Sequence, residues 1–319
     1  MDFSEKIYVA GHNGMVGSAI VRKLEKLKYS NIVVKSKSEL DLLSQNETYD
    51  FLCSEKPDYV IIAAAKVGGI YDNNTYPADF IYQNLMIESN LIHGSYLAGV
   101  KRLLFLGSSC IYPKYSEQPI KESSLLSGEL EQTNEPYAIA KIAGLKICES
   151  YNRQYNTDYR SLMPTNLYGP NDNFDAKSGH VIPALIGKFH KSKINKESSV
   201  EVWGSGNQLR EFLYVDDLAD AAVYFLNLDK KKIDNVVDSS MSHINIGTGL
   251  EISIRDISEL IKSVVGFSGQ IVFNNEMLEG TYRKSLDVSK AEKLGWKYRH
   301  RLRESIEKTY SWFLENQKH

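Results

Sequence analysis

The stretch Ile7-Tyr8-Val9-Ala10-Gly11-His12-Asn13-Gly14-Met15-Val16-Gly17 decides the fold. Lys6–Ala10 is a short, mostly apolar run and reads as a buried strand. Glycines follow in the spacing G-x-x-G-x-x-G. Gly14–Lys28 then carries Val16, Ile20, Leu24 and Leu27 at helical spacing. Glycines let a backbone turn tightly and approach a pyrophosphate. The helix that opens there offers free N–H groups and the positive end of its dipole. Three glycines alone would be only a turn, so the reading rests on their place between strand and helix. His12, Asn13, Met15 and Val16 are expected to line a dinucleotide together with Gly11, Gly14 and Gly17.

The pattern outward from this turn fixes the class. Asn31–Lys35 reads as a second strand, Gln45–Glu55 as a helix and Tyr59–Ala65 as a third strand. Ala78–Ala98 reads as a long helix, Lys101–Ser109 as a fourth strand and Tyr159–Pro164 as another. Strands alternating with helices predict crossover units and a doubly wound parallel α/β sheet. Beyond Pro164 the order is less regular. Gly169–Gly179 is loop-like, His180–Lys191 helical, and Val200–Trp203 a short strand. Glu211–Val215 leads into a helix over Asp216–Leu228, and Asp229–Ser242 is a polar connection. Ser253-Ile-Arg-Asp256 resembles a capping box opening a helix to Val265, and Leu302–Asn316 is an amphipathic helix. Residues 1–165, with about 211–246, form the expected dinucleotide-binding domain. Residues 166–210 and 247–319 form a smaller, partly interleaved α/β substrate-binding domain.

The bulk numbers narrow the partners. A chain of 319 residues, 42% hydrophobic and 24% charged, buries a large core. A net charge of −2 gives no global field for nucleic acid or an anionic membrane, so a small-molecule anion must be held by local basic residues. No apolar run approaches the ~20 residues of a membrane span. Three cysteines do not make a disulfide framework, and the chain enters a strand almost at once, without room for a signal peptide. Both point to the cytoplasm. No metal site is expected.

The end of the second strand selects the cofactor. An NAD site places an acid there for the ribose 2′-OH. Here stand Lys35 and Lys37, with the first acid at Glu39, which suits the 2′-phosphate of NADPH. Asp41 and Leu42 fall where an adenine edge is read. Leu106, Pro164, Asn166 and Leu167, at the ends of the fourth and fifth strands, are the expected lining of the rest of the crevice.

The fourth strand ends in Gly107-Ser108-Ser109-Cys110, and further on comes Tyr137-Ala-Ile-Ala-Lys141. Four residues apart on a helix, phenol and ammonium share one face. A neighbouring Lys⁺ is expected to lower the pKa of the Tyr. Tyr137 then gives a proton to a carbonyl oxygen while hydride reaches its carbon, Lys141 holds the cofactor ribose, and Ser108 or Ser109 aligns the carbonyl. Cys110 sits one step past the serines. A thiol of lowered pKa abstracts a proton next to a carbonyl. Epimerisation then needs an acid on the opposite face, and His180, after the polar loop, is the candidate, also expected at the cofactor. Cys53 and Cys148 read as packing residues.

At this point several ungapped blocks resemble one family. They are Gly11–Gly17, Ala63-Ala-Ala-Lys-Val-Gly-Gly69, Asn73-Asn-Thr-Tyr-Pro-Ala-Asp-Phe80, Gly107-Ser-Ser-Cys-Ile-Tyr-Pro113, Asn134-Glu-Pro-Tyr-Ala-Ile-Ala-Lys141 and Met163-Pro-Thr-Asn-Leu-Tyr-Gly-Pro170. They are similar to the GDP-L-fucose synthases, also called GDP-4-keto-6-deoxy-D-mannose epimerase-reductases. The resemblance runs from about Ile7 to at least Trp296. It implies an extended short-chain dehydrogenase with a Rossmann domain, NADPH as cofactor and a homodimer. It also implies that Cys110 and His180 epimerise C3 and C5 of a GDP-linked 4-keto sugar, while Ser108, Tyr137 and Lys141 support reduction at C4. Lys188, Trp203, Arg210 and Glu279 resemble the family's contacts to the GDP-sugar. Two positions depart from the pattern: some members carry Arg where this chain has Asn13, and Arg often stands at the place of Lys188. A sugar-nucleotide 4-epimerase or 4,6-dehydratase shares the loop and the Tyr-Lys pair. A dehydratase, however, places acids after the fourth strand, where this chain has Ser109-Cys110-Ile111. A non-catalytic redox sensor on this fold would be expected to lose the Tyr or the Lys.

Overall fold

The structure is a computed structural model, and it describes residues 1–176, 178–276 and 281–316. In chain order the elements begin β1 (Ile7–Ala10), α1 (Met15–Lys26), β2 (Ile32–Val33), α2 (Gln45–Glu55), β3 (Tyr59–Ile62), α3 (Ile70–Thr75), α4 (Pro77–Leu97) and β4 (Arg102–Leu106). Then come α5 (Glu135–Tyr155), β5 (Tyr159–Pro164), β6 (Asn166–Tyr168), α6 (Val181–Ile194), β7 (Ser199–Trp203), β8 (Leu209–Tyr214), α7 (Val215–Asn227) and α8 (Lys230–Asp234). The rest are β9 (Ile244–Ile246), β10 (Glu251–Ser253), α9 (Ile254–Val265), β11 (Gln270–Asn274), β12 (Arg283–Lys284), α10 (Ser289–Lys293) and α11 (Leu302–Asn316).

The main sheet has the order β2-β1-β3-β4-β5-β9, and every pairing in it is parallel. Its central strands are buried on both faces, which is why they read as unbroken apolar runs rather than alternating ones. Ile7, Val9, Ile61, Leu104 and Leu162 face one way, into a core shared with α1 and α7. Tyr8, Ala10, Val60, Ile62, Leu103 and Phe105 face the other, against α2, α4 and α5. Helix α1 buries Gly17, Ala19, Ile20 and Leu24. Its outer edge is tied to α7 by Lys23–Asp220 at 2.5 Å and Arg22–Asp216 at 3.0 Å.

Two smaller sheets complete the molecule. In one, β8 pairs with β6 and β12 in parallel and with β10 antiparallel. In the other, β7 pairs with β11. The predicted capping box is present: Ser253 Oγ accepts from Asp256 N at 3.0 Å, and Gly266 closes α9 in the left-handed region.

Several boundaries differ from the sequence reading. The second strand, expected over Asn31–Lys35, is only Ile32–Val33, because as an edge strand it has β1 alone to pair with. The third and fourth strands end at Ile62 and Leu106, where their ladders stop and the chain turns into the crevice. The connection Asp229–Ser242 contains α8. The strands β6, β9, β10, β11 and β12 are additions, being runs of two to five residues that are strands only through distant partners.

The small sheet is fastened by Glu211, which is fully buried. Its Oε1 accepts from Thr248 N at 2.6 Å and Gly249 N at 2.9 Å, and its Oε2 from Leu286 N at 2.8 Å. Gly247 is needed beside it, since a Cβ there would stand 2.0 Å from Oε1. Glu211→Ala would strand the buried Leu286 N–H, free the partly exposed Thr248 and Gly249 N–H groups and empty a fully buried side-chain site; a buried donor left unpaired costs about 1–3 kcal/mol. The expected loss of unfolding free energy in urea is about 3 kcal/mol or more; a loss under about 1 kcal/mol would show the clamp to be dispensable.

Candidate active site

The glycine loop is built for close approach. Gly11 has φ +85°, and a Cβ there would lie 2.6 Å from Ala64 Cα. A Cβ on Gly17 would lie 2.1 Å from Gly11 O, so helix and loop touch through backbone. Gly14 instead meets nothing nearer than 3.5 Å and is the N-cap of α1, with no side chain capping it and no acid in the first turn. The N–H end of α1 is therefore free of internal anions, and the residues fit a dinucleotide pyrophosphate. Met15 and Val16 form the first turn of the helix, and His12 and Asn13 lie in the loop. Lys35 reaches Glu39 at 4.0 Å, and His12 also acts on the Glu39 charge. Lys35 and His12 thus border one exposed carboxylate just past β2, and Lys37 lies in the same turn with no ion pair to it among the described residues. Asp41 Oδ1 accepts from Leu43 N at 3.1 Å, and Asn90 Nδ2 donates to Leu42 O at 2.9 Å, so the segment expected at the adenine is fixed to α4.

Gly107 packs where a Cβ would meet Met163 Sδ at 2.3 Å, and this turns the chain sharply after β4. Ser108 caps the short turn Ser109–Ile111 by accepting from Cys110 N at 3.2 Å. Its hydroxyl also reaches Tyr137, on the first turn of α5. Lys141, one helical turn on, is 2% exposed; its Nζ donates to Leu106 O at 3.1 Å and pairs with Glu88 of α4 at 2.8 Å. Ser108, Cys110, Tyr137 and Lys141 are brought together as expected.

The electrostatics correct one expectation. The Tyr137 phenol is not lowered by Lys141 but pushed well up. Desolvation is the main cause, Cys110 and Glu88 add to it, and Ser108 opposes it. Lys141 shares its charge with Glu88, whose carboxyl burial raises despite the ammonium beside it. A phenol held this way stays protonated, as a proton donor in reduction must be.

His180 is the N-cap of α6. The residue is exposed, yet the protein around it disfavours the charged ring, and desolvation lowers its pKa. The loop before it is seated by backbone contacts: Gly69 N donates to Ser178 O at 3.1 Å, and Gly187 of α6 approaches so closely that a Cβ would stand 2.4 Å from Phe174 O. Phe174 in turn stacks on Trp312 and Phe313 of α11. On the substrate side, Lys188 Nζ lies 4.6 Å from the Trp203 ring centroid. Trp203 is 39% exposed, which argues against plain core packing. Burial lowers the pKa of both Lys188 and Arg210. Arg210 donates only to carbonyls, Leu209 O at 2.8 Å and Tyr282 O at 3.4 Å, and no carboxylate among the described residues pairs with it. A desolvated cation without an anion is a receptor for one. Asn166 is held by Glu211 O at 2.8 Å, Pro164 ends β5, and Leu167 lies in β6. Glu279 lies outside the described residues.

Three residues escaped the sequence reading. Asn134 Nδ2 and Lys284 Nζ reach Cys110 Sγ at 3.5 and 3.6 Å. Glu88 was discoverable, because Phe80, Asn84, Glu88 and Leu91 mark the buried face of α4 at helical spacing. Lys284 had no local signal.

A parallel sheet with a glycine turn at its first strand and a Ser-Tyr-Lys group beyond its fourth defines a nucleotide-dependent oxidoreductase. Residues 7–247 match the NAD dependent epimerase/dehydratase family. The GDP-L-fucose synthase of Escherichia coli (strain K12) is 54% identical over 313 residues, 98% of each chain. GDP-L-fucose synthase 1 of Arabidopsis thaliana is 55% identical over 315 residues, 99% of this chain and 95% of its own. Among solved structures, a GDP-6-OMe-4-keto-L-xylo-heptose reductase from C. jejuni superposes with a TM-score of 0.94 at 40% identity, covering 99% of both chains. A GDP-L-fucose synthetase from Naegleria fowleri bound to NADP gives 0.88 at 28% identity, covering 99% of this chain and 96% of the other. The chain belongs to the NAD dependent epimerase/dehydratase family and, within it, to the GDP-L-fucose synthases.

Glu88 provides a test of the phenol. Glu88→Gln removes one of the charges that raise the Tyr137 pKa and frees Lys141 to favour phenolate. Because reduction needs the protonated phenol, its loss at high pH should move to lower pH in a kcat/KM profile. A limb that stays in place or moves up would refute this coupling.

Proposed function

We propose that this chain converts GDP-4-dehydro-6-deoxy-D-mannose to GDP-L-fucose, by epimerisation at C3 and C5 followed by NADPH-dependent reduction at C4. The observation that carries this reading is Cys110 held beside Ser108 and Tyr137 at the mouth of a dinucleotide fold. One carbonyl at C4 acidifies the protons on both neighbouring carbons, so a single site serves both reactions. Cys110 is the base, and His180 returns a proton on the opposite face. With its pKa lowered, the His180 imidazolium gives up its proton more readily than a free histidine would. Ser108 and Tyr137 hydrogen-bond the C4 oxygen, and Tyr137 delivers its proton when that oxygen becomes a hydroxyl. NADPH, when bound, supplies the hydride. Gly11–Gly17 would hold its pyrophosphate, Lys35 and Lys37 its 2′-phosphate, and Asp41 and Leu42 its adenine. Leu106, Pro164, Asn166 and Leu167 would line the crevice, with His180 at its edge, and Lys141 would hold the ribose. Lys188 and Arg210 take the diphosphate and Trp203 the guanine, with Glu279 as a further contact. This divides the chain into a dinucleotide part (1–165 with about 211–246) and a substrate part (166–210 and 247–319), β8 being the strand they share.

A second reading, C4 reduction alone, draws support from the likeness to the heptose reductase. Deuterium separates the two. In D2O the wild type should wash label into C3 and C5 of the keto sugar. Cys110→Ser should lose that exchange by about a hundredfold or more while still oxidising NADPH with the already epimerised sugar. Exchange surviving in Cys110→Ser would remove the thiol from the mechanism. Wild type that reduces without exchanging would establish the second reading, and folded protein doing neither would overturn both. Arg210→Ala should raise KM for the GDP-sugar by about tenfold or more with the affinity for NADPH unchanged; an unaltered KM would place the diphosphate elsewhere. We also propose a homodimer, supported by exposed Tyr82, Leu97, Ile139 and Tyr155 on the paired helices α4 and α5 and refuted by a monomeric mass in solution. The cytoplasm is the proposed compartment, since Cys53, Cys110 and Cys148 are free thiols. No helix among the described residues is long and apolar enough to cross a membrane.

A further inference from the structure

The cation nearest the Cys110 sulfur comes from far along the chain. Lys284 lies on β12, in register with Arg210 of β8, and its Nζ is 3.6 Å from Cys110 Sγ. The strand that carries it is fixed at each following residue. Ser285 N donates to Gln118 Oε1 at 2.9 Å, Ile120 N to Ser285 O at 2.8 Å, and Leu286 N to Glu211 Oε2 at 2.8 Å. Neighbouring cations spend their charge on carboxylates, Arg283 on Glu251 at 2.7 Å and Lys141 on Glu88 at 2.8 Å. Lys284 has no carboxylate within ion-pair distance among the described residues, and its recorded polar contact is the sulfur. Among the described residues, the groups facing Cys110 are the Tyr137 phenol of α5, the amide of Asn134 at the N-cap of that helix, the Ser108 hydroxyl from its own turn and Lys284 from β12. Of these, only Lys284 is a basic side chain.

We propose that Lys284 is a positioning residue that holds Cys110 as a thiolate and aims it at the substrate, with the Asn134 amide fixing the second lone pair. An ammonium beside a sulfur favours the ionised form, and more so in a partly buried crevice. In the reaction the thiolate takes a proton from the carbon next to C4 and becomes a thiol, and the electron pair of the broken C–H bond passes to the C4 oxygen as enolate. Lys284 keeps its own protons throughout. The proposal rests on the reading of Cys110 as the base.

Its test needs no substrate. The rate of alkylation by iodoacetamide is followed against pH at the Cys110 peptide by mass spectrometry, so that Cys53 and Cys148 do not contribute. Lys284→Met should move the midpoint up by about one unit or more, which lowers the rate at neutral pH by about tenfold. Lys284→Arg, which keeps the charge, should stay within about threefold of wild type. If the Met variant does not fold, Lys284→Gln takes its place. A folded neutral variant whose profile superposes on that of wild type overturns the proposal. A shifted profile in a protein that exchanges no deuterium into the GDP-keto sugar leaves the charge pairing standing and overturns the reaction instead.

Discussion

The Glu211 carboxylate is held chiefly by backbone N–H groups, and much of the site hangs from it. Its two oxygens tie the turn after β9 and the segment after β12 to β8, while its own carbonyl accepts from Asn166 and Thr165 at the exit of β5. Burying a carboxyl without a cation is costly, which is why burial raises its pKa even against three N–H donors. The hydrogen bonds that offset this cost hold a junction where four segments, distant in sequence, meet within one residue of Arg210 and two of Lys284. A cluster of apolar side chains would hold the segments together less directionally, and the crevice needs direction.

Two lysines then divide the chemistry by their partners. Lys141 is buried against Glu88, and burial, with Cys110 and Glu88 adding to it, leaves the Tyr137 phenol protonated. Lys284 stands beside a sulfur, with no carboxylate among the described residues at ion-pair distance. A phenol and a thiol thus share one site, each near a cation with different surroundings. The Gly107–Met163 contact, which turns the chain after β4, and the Gly144 position, where a Cβ would lie 2.5 Å from Glu88 Oε2, show how much backbone is given up to make room for this arrangement.

The sequence was most readable where the determinants are local. The glycine turn, the buried runs of β1, β3 and β5, the cap at Ser253 and the Tyr137/Lys141 spacing are each set by neighbours within a helical turn or a strand. What it concealed depends on long-range pairing. Strands β6, β9 and β12, of two or three residues, have no period of their own and exist because β8 and β5 supply hydrogen bonds. Lys284 looks like any surface lysine until β12 is docked. The expected fall in the Tyr137 pKa failed for a related reason: the Tyr-x-x-x-Lys spacing gives the ammonium, but not the burial that raises the phenol, nor Glu88 from another helix that shares the lysine. The roles proposed for Cys110 and His180 lean on the resemblance, because ungapped blocks of sequence carry tertiary information that spacing lacks.

The aromatic seat under the His180 loop has a consequence for how the protein comes into being. Phe174 rests on Trp312 and Phe313, which belong to a helix made long after the glycine turn and the Tyr-Lys pair. During synthesis, strands β1 to β5 and their helices emerge first and can assemble in order. His180, and the thiol that Lys284 reaches, gain their settings only when later segments arrive. A nascent chain therefore acquires the capacity to grip a dinucleotide before the capacity to invert a stereocentre, and a ribosome stalled in the last part of the message would carry a binder without a catalyst.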